Sequence, residues 1–326
     1  ALAQANGQPF PTPWFYPPTF LLMVLPLSFL PYYPSLIMWL VLTLSAYLLV
    51  IRLSAPHPLT IWLALSFPGA LMNLNYGQNG LFSAALLGGG LLLMEGSPVM
   101  AGILFGLLSY KPNFFVLIPL ALLAGRYWRT LGAPMVSAGI LAFASILAFG
   151  WEPWLAYWHI RSLPMQALQQ GLASLKIMPT LFAATLQAGG NLTAAYIIQG
   201  LAMAAMVGVV IWTWSRREAM AIRVSVLVIG SLLFTPYASE YELVRLAIPA
   251  AWIGWEGYQK GWLVNDKIFL ILAWITPLLS RVLAYENMLQ ITPLILVVLL
   301  YFNLTSRRLS IMSAQPGFID KDKDKA

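Results

Sequence analysis

Cysteine is absent from the 326 residues, and charge is scarce, with 9% of positions holding Asp, Glu, Lys or Arg. The first absence excludes disulfides, thiolate nucleophiles and thiolate metal sites together. The second excludes an ordinary soluble surface, which carries about 25% charged residues. No charge precedes Arg52, and six charges crowd the tail from Asp320 to Lys325. No aspartate occurs upstream of Asp266, and histidine appears only as His57 and His159. Walker A, dinucleotide-fingerprint, HExxH and GxSxG sequences are all missing.

What is abundant is apolar. Sixty per cent of the residues are hydrophobic and the mean hydropathy is +0.77. Such a chain must be solvated by lipid, which predicts an all-α, polytopic transmembrane helix bundle. A spanning helix needs about 20 apolar residues. Apolar segments run over 17–31, 34–51, 57–73, 80–94, 97–110, 113–125, 132–150, 192–214, 222–236, 243–257, 267–283 and 290–303. Several are short, so some extend into their flanks or re-enter, and about ten true spans are expected. We expect one membrane domain over 1–309 and a charged cytoplasmic tail over 310–326. The net charge of +7 reflects basic cytoplasmic loops and not a nucleic-acid partner.

Placing Arg126 and Arg129 in the cytoplasm and alternating from there puts 13 of the 18 basic residues inside. The polar motifs then share the outer side: Asn75-Tyr-Gly-Gln-Asn-Gly80, Tyr110-Lys-Pro-Asn113, the loop 151–178, and Pro236-Tyr-Ala-Ser-Glu-Tyr-Glu242. The sidedness of residues 1–34, interrupted by Pro17, Pro18, Pro26, Pro31 and Pro34, stays open.

Gln78 and Asn79 supply amides that suit sugar hydroxyls or phosphate oxygens, although Asn and Gly are also ordinary turn residues. Lys111 between two apolar runs is an expensive charge that can hold a phosphate or snorkel to headgroups. Glu240 and Glu242 lie beside Tyr237 and Tyr241; they can take a proton from an acceptor hydroxyl, and Glu242 can instead pair with Arg245 at i+3. Trp151, Trp154, Trp158, His159 and Arg161 give the long loop an interfacial-helix character. Gly102 and Gly106 form a small-xxx-small packing pair.

Tyr16-Pro-Pro18, Gly77-Gln-Asn-Gly80, Ala101 to Pro112, Gly125-Arg-Tyr-Trp-Arg129, Thr235-Pro-Tyr237 and Glu240-Tyr-Glu-Leu243, taken in order, resemble glycosyltransferase family 87. The resemblance implies a C-type glycosyltransferase fold with its active site in extracytoplasmic loops. It implies a polyprenyl-phosphate sugar donor, a glycolipid or glycan acceptor, membrane lipids as surroundings, and no cofactor or metal. The sugar would be a hexose, with mannose a candidate, and the setting a bacterial inner membrane. We expect Lys111 and Arg245, with Arg161 in reserve, to take the donor phosphate, and Tyr16, Gln78, Asn79, Asn113, Tyr237, Tyr241 and His159 to contact substrate. The family's catalytic aspartate belongs to a first outer loop, and no outward aspartate is present. We therefore expect either an upstream segment that carries it or a substitute among Glu240, Glu242, Glu152 and Glu286. A transporter or flippase of lipid-linked sugars is the alternative, against which stands the absence of a convincing inverted repeat.

Overall fold

The structure, a computed structural model, describes residues 14–160, 162–163, 175–286 and 289–313, with the last eight by backbone alone. Proline shapes its opening. Pro18 starts α1 (Pro18–Val24), Pro26 lies in a 3-10 turn (Leu25–Phe29), and Pro31 precedes α2 (Tyr32–Ser54). Proline, lacking an N–H, fits only the first turn of a helix without loss. The apolar stretch 17–31 is therefore broken within the first helix rather than continuous. The stretch 57–73 is also split, into α3 (Thr60–Leu65) and α4 (Pro68–Tyr76), with Pro68 at the second start.

Gly77 ends α4 at a φ of 62°, a left-handed conformation that glycine adopts without a Cβ clash. After this turn come α5 (Gly80–Leu93) and α6 (Pro98–Leu107). A 3-10 turn (Leu108–Tyr110) leads to Lys111, and Pro112 opens α7 (Pro112–Phe115), followed by α8 (Leu117–Ala124). The chain continues through α9 (Trp128–Phe149), α10 (Glu152–Ile160), α11 (Leu181–Gln187), α12 (Leu192–Ser215) and α13 (Met220–Phe234). A second 3-10 segment (Glu240–Leu246) precedes α14 (Ala247–Lys260), α15 (Val264–Tyr285) and α16 (Thr292–Ser313).

Among the described residues every regular element is helical. Four helices, α2, α9, α12 and α15, are long and apolar enough to cross a membrane, and shorter apolar helices of 10–17 residues stand beside them. The shorter ones form the centre. In α13 every side chain from Ala221 to Leu233 is buried, and α5 is buried from Gly80 to Leu91 except at Phe82. A helix apolar on all sides belongs inside a bundle. The long helices instead expose apolar faces, such as Ile140, Phe143 and Leu147 on α9 and Ile37, Val41 and Leu49 on α2. Large exposed apolar faces belong in hydrocarbon, and the protein is a membrane protein.

Two features position the site. Gly102 and Gly106 press α6 onto α9, where a Cβ at Gly102 would lie 2.3 Å from that of Ala133. The segment Glu240–Leu246 is gripped by α4 and α5: a Cβ at Gly69 would lie 2.8 Å from the backbone nitrogen of Val244. Elsewhere in the bundle, Arg223 is buried against the rings of Tyr127 and Trp214, with Glu95 at 3.8 Å.

Candidate functional site

Four sequence motifs far apart in the chain meet around Lys111. Lys111, held between Tyr110 and the proline that opens α7, forms a buried ion pair with Glu242. Arg245 reaches the other oxygen of the same carboxylate at 2.9 Å. Its guanidinium lies 3.5 Å from the ring centre of Phe114, and the Lys111 ammonium sits 5.6 Å from the rings of Tyr110 and Tyr241. Two cations share one carboxylate, so the cluster keeps one net positive charge. Burial and the Arg245 charge pull the Lys111 ammonium down to about 8, against the opposing pull of Glu242.

The Glu240–Leu246 segment is fixed largely through its main chain. Asn73, fully buried on α4, donates to the carbonyls of Gly69 and Tyr241, both at 2.8 Å. Asn113 donates to the Thr235 hydroxyl at 3.1 Å and to the Tyr237 carbonyl at 3.2 Å, which fixes the stretch of chain leading into the segment. Tyr110 donates to the Asn79 carbonyl at 3.4 Å. The Tyr16 hydroxyl meets the side chains of Tyr241 and Asn79; burial, the largest influence, raises its pKa.

Beside this cluster opens a cavity of about 560 Å³ whose walls include Trp14, Tyr16, Trp39, Gln78 and Asn79. Phe20 stacks on Tyr110 at 4.5 Å and on Trp14 at 5.4 Å, so aromatic faces form its side. The buried Asn79 Oδ1 accepts no hydrogen bond from the described residues. Aromatic faces and unspent amides suit a sugar, whose C–H face stacks while its hydroxyls hydrogen-bond.

A second ion pair flanks the first. Arg281 of α15 donates to Glu240 at 2.7 Å and lies 5.3 Å from the ring of Tyr76. Burial raises the Glu240 carboxyl while Arg281 lowers it, and burial dominates. Arg281 was not among the expected site residues. Its role as partner of Glu240 depends on contacts between α15 and the 3-10 segment, which no spacing reveals. Asn73 and Tyr76, both just before Gly77, were equally silent.

Of the other expected residues, Tyr237 lies near the cluster through Asn113. His159 and Glu152 are exposed on α10, and Glu286 is exposed after α15. Among the described residues no hydrogen bond, ion pair or ring contact joins these three to the Lys111 cluster. Arg161 lies outside the described residues.

A helical membrane protein with a charged cluster beneath an aromatic and amide-lined cavity is thus defined. A model of glycosyltransferase family 87 matches residues 14–236, and the chain belongs to that family; it is a membrane glycosyltransferase. The match contains Tyr16, Asn73, Asn79, Lys111 and Asn113, and the Glu240–Arg245 segment they hold follows just beyond it. No curated protein and no solved structure matches the chain.

Proposed function

We propose that this glycosyltransferase moves a hexose from a polyprenyl-phosphate donor to a glycolipid or glycan acceptor on the extracytoplasmic side of a bacterial inner membrane. The fold would be of the C type, with about ten spans once the shorter apolar helices are counted with the four long ones. Mannose is one candidate sugar. The observation that carries this reading is the buried Lys111–Glu242–Arg245 cluster beside the cavity of Tyr16, Gln78 and Asn79.

In the chemistry proposed, the acceptor hydroxyl oxygen attacks the anomeric carbon as the bond from that carbon to the phosphate oxygen breaks. The leaving polyprenyl phosphate keeps the electron pair, and the hydroxyl proton passes to a carboxylate base. Lys111 and Arg245 act on the developing phosphate charge through the field of their one unbalanced cation. Gln78, Asn79 and Tyr16 orient the sugar. Both Glu242 oxygens are engaged by Lys111 and Arg245, so neither is free to meet an acceptor hydroxyl. A base elsewhere, such as the aspartate that the family places in an outer loop, fits this arrangement better.

The test is transfer of label from polyprenyl-phosphate hexoses to a lipid acceptor extract, in membranes carrying the enzyme. Label should appear in product with at least one hexose, and fall when Asn79 becomes Ala. Failure with every hexose, alongside movement of the labelled lipid across the bilayer, would replace this reading with a flippase.

A further inference from the structure

An apolar cavity of about 760 Å³ lies away from the Lys111 cluster, between α2 and α3 on one side and α14 and α15 on the other. Its wall on α15 contains Leu270, Trp274 and Leu278. Steps of four residues follow one face of a helix, and the next position on that face, three residues on, is Arg281. By helix rise Arg281 stands about 4.5 Å beyond Leu278 along the axis. The neighbouring helix confirms the direction. Phe67, at the start of α4, meets Trp274 at 5.3 Å inside the cavity, and Tyr76, at its end, meets Arg281 at 5.3 Å. Both helices therefore climb together from an apolar groove to one arginine.

That arginine is more accessible than the cations of the Lys111 cluster. Its side chain is 40% exposed, against 4% for Lys111 and 0% for Arg245. One N–H is given to Glu240. A guanidinium carries five donors in a planar fork, so most of it stays available while the carboxylate fixes its orientation. Immediately after Tyr76, the turn Gly77, Gln78, Asn79 forms part of the wall of the smaller, sugar-sized cavity. An amphiphile with its anionic head at Arg281 would have its tail below, in the groove, and its next group across that turn.

We infer that the groove holds the isoprenoid tail of the polyprenyl-phosphate sugar and that Arg281 receives its phosphate. This rests on the donor class proposed above and assigns that donor a place. A bystander phospholipid offers the same charge but has no group to place across the turn of residues 77–79. The arrangement also gives Glu240 a task. In a direct displacement the base and the leaving phosphate stand on opposite faces of the anomeric carbon. A carboxylate bonded to the phosphate-binding arginine is on the leaving side. Glu240 is thus a positioning residue for Arg281, not the base.

The experiment places a photoreactive phenylalanine derivative at Ile275, on the groove wall, in membranes carrying the enzyme, with radiolabelled polyprenyl phosphate as probe. Illumination should label the protein. Unlabelled polyprenyl phosphate should compete, while polyprenol and phosphatidylglycerol should not. Arg281→Ala should cut labelling about tenfold, the loss of one charge-assisted contact. Because that change strands the Glu240 carboxylate, the paired Arg281→Gln and Glu240→Gln variant repeats the measurement without a buried unpaired charge and should show the same loss. Ala250→Trp, which fills the groove, should raise KM for the donor with kcat retained.

Equal competition by polyprenol would remove the phosphate from Arg281, and equal competition by phosphatidylglycerol would make the groove a site for bulk lipid. Absence of labelling alongside intact transfer by the same membranes would overturn the inference while leaving the donor reading standing. Labelling with no transfer from any polyprenyl-phosphate hexose would instead sink the donor reading.

Discussion

Asn73 and Tyr241, 168 positions apart, are joined by a hydrogen bond of 2.8 Å from the buried amide of the first to the carbonyl of the second. This bond, with the one Asn73 makes to Gly69, seats the segment that carries Glu240, Glu242 and Arg245 against α4.

Replacing Asn73 with Leu should therefore act on activity through position. It removes two hydrogen bonds to carbonyls, at a cost of about 0.5–1.5 kcal/mol each. Thermal unfolding in detergent should occur at lower temperature, and transfer should fall with helical content unchanged. Transfer at the native rate by a normally folded Asn73→Leu protein would contradict the role.

The charge balance around Glu242 gives a second expectation. Glu242→Gln leaves Lys111 and Arg245 buried with no counter-charge, which should cost about 3–5 kcal/mol. Removing Lys111 as well, as Lys111→Met with Glu242→Gln, returns the cluster to one positive charge. The double variant should then be more stable than Glu242→Gln alone. Strictly additive losses in a double-mutant cycle would show that the pair is not coupled.

Acidity supplies the third. With Lys111 depressed to about 8, it is protonated below that pH and the cluster holds one net positive charge. Above it the ammonium loses its proton, and the remaining Arg245 and Glu242 charges cancel. Donor affinity should fall as pH passes from about 7 to 9, seen as a rising KM. Lys111→Arg, which stays protonated, should remove that alkaline rise. A KM flat across the range in the unsubstituted enzyme would exclude a field role for Lys111.

Packing of α6 on α9 gives the fourth. A Cβ at Gly102 would meet Ala133 Cβ at 2.3 Å and the Thr130 carbonyl oxygen at 2.9 Å, whereas one at Gly132 meets nothing within 4 Å. Gly102→Ala should destabilise by about 1–3 kcal/mol, as overpacking does. Gly132→Ala should be neutral or stabilising through helix propensity. Comparable melting temperatures for the two would show that α6 and α9 do not need this close approach.

Much of this was legible in the sequence, for reasons that can be stated. Apolar runs reveal a helical membrane protein because lipid leaves few other solutions. Lys111 was visible because a charge among apolar residues is costly, and Glu242–Arg245 because a three-residue spacing is local. The partners of these residues were not legible. Lys111 meets Glu242 only after 131 intervening steps of chain, and Arg281 meets Glu240 after 41. Nothing in either neighbourhood names the other. The splits at Phe67 and within 17–31 could have been read more firmly from Pro68 and Pro26, whose rings end what hydropathy alone continues.

The grip on the 240–246 segment has a further consequence. Asn73 holds a carbonyl, Gly69 abuts the Val244 backbone, and the closest approaches of Gly80 include the Tyr241 carbonyl. Each contact reads atoms that every amino acid possesses. The side chain of Tyr241, the one half-buried position from 240 to 246, can therefore be exchanged while the path of the stretch stays put. A mount indifferent to what it carries is a natural place to retune which sugar or acceptor is recognised, and a library confined to Tyr241 would explore new specificities on an unmoved backbone.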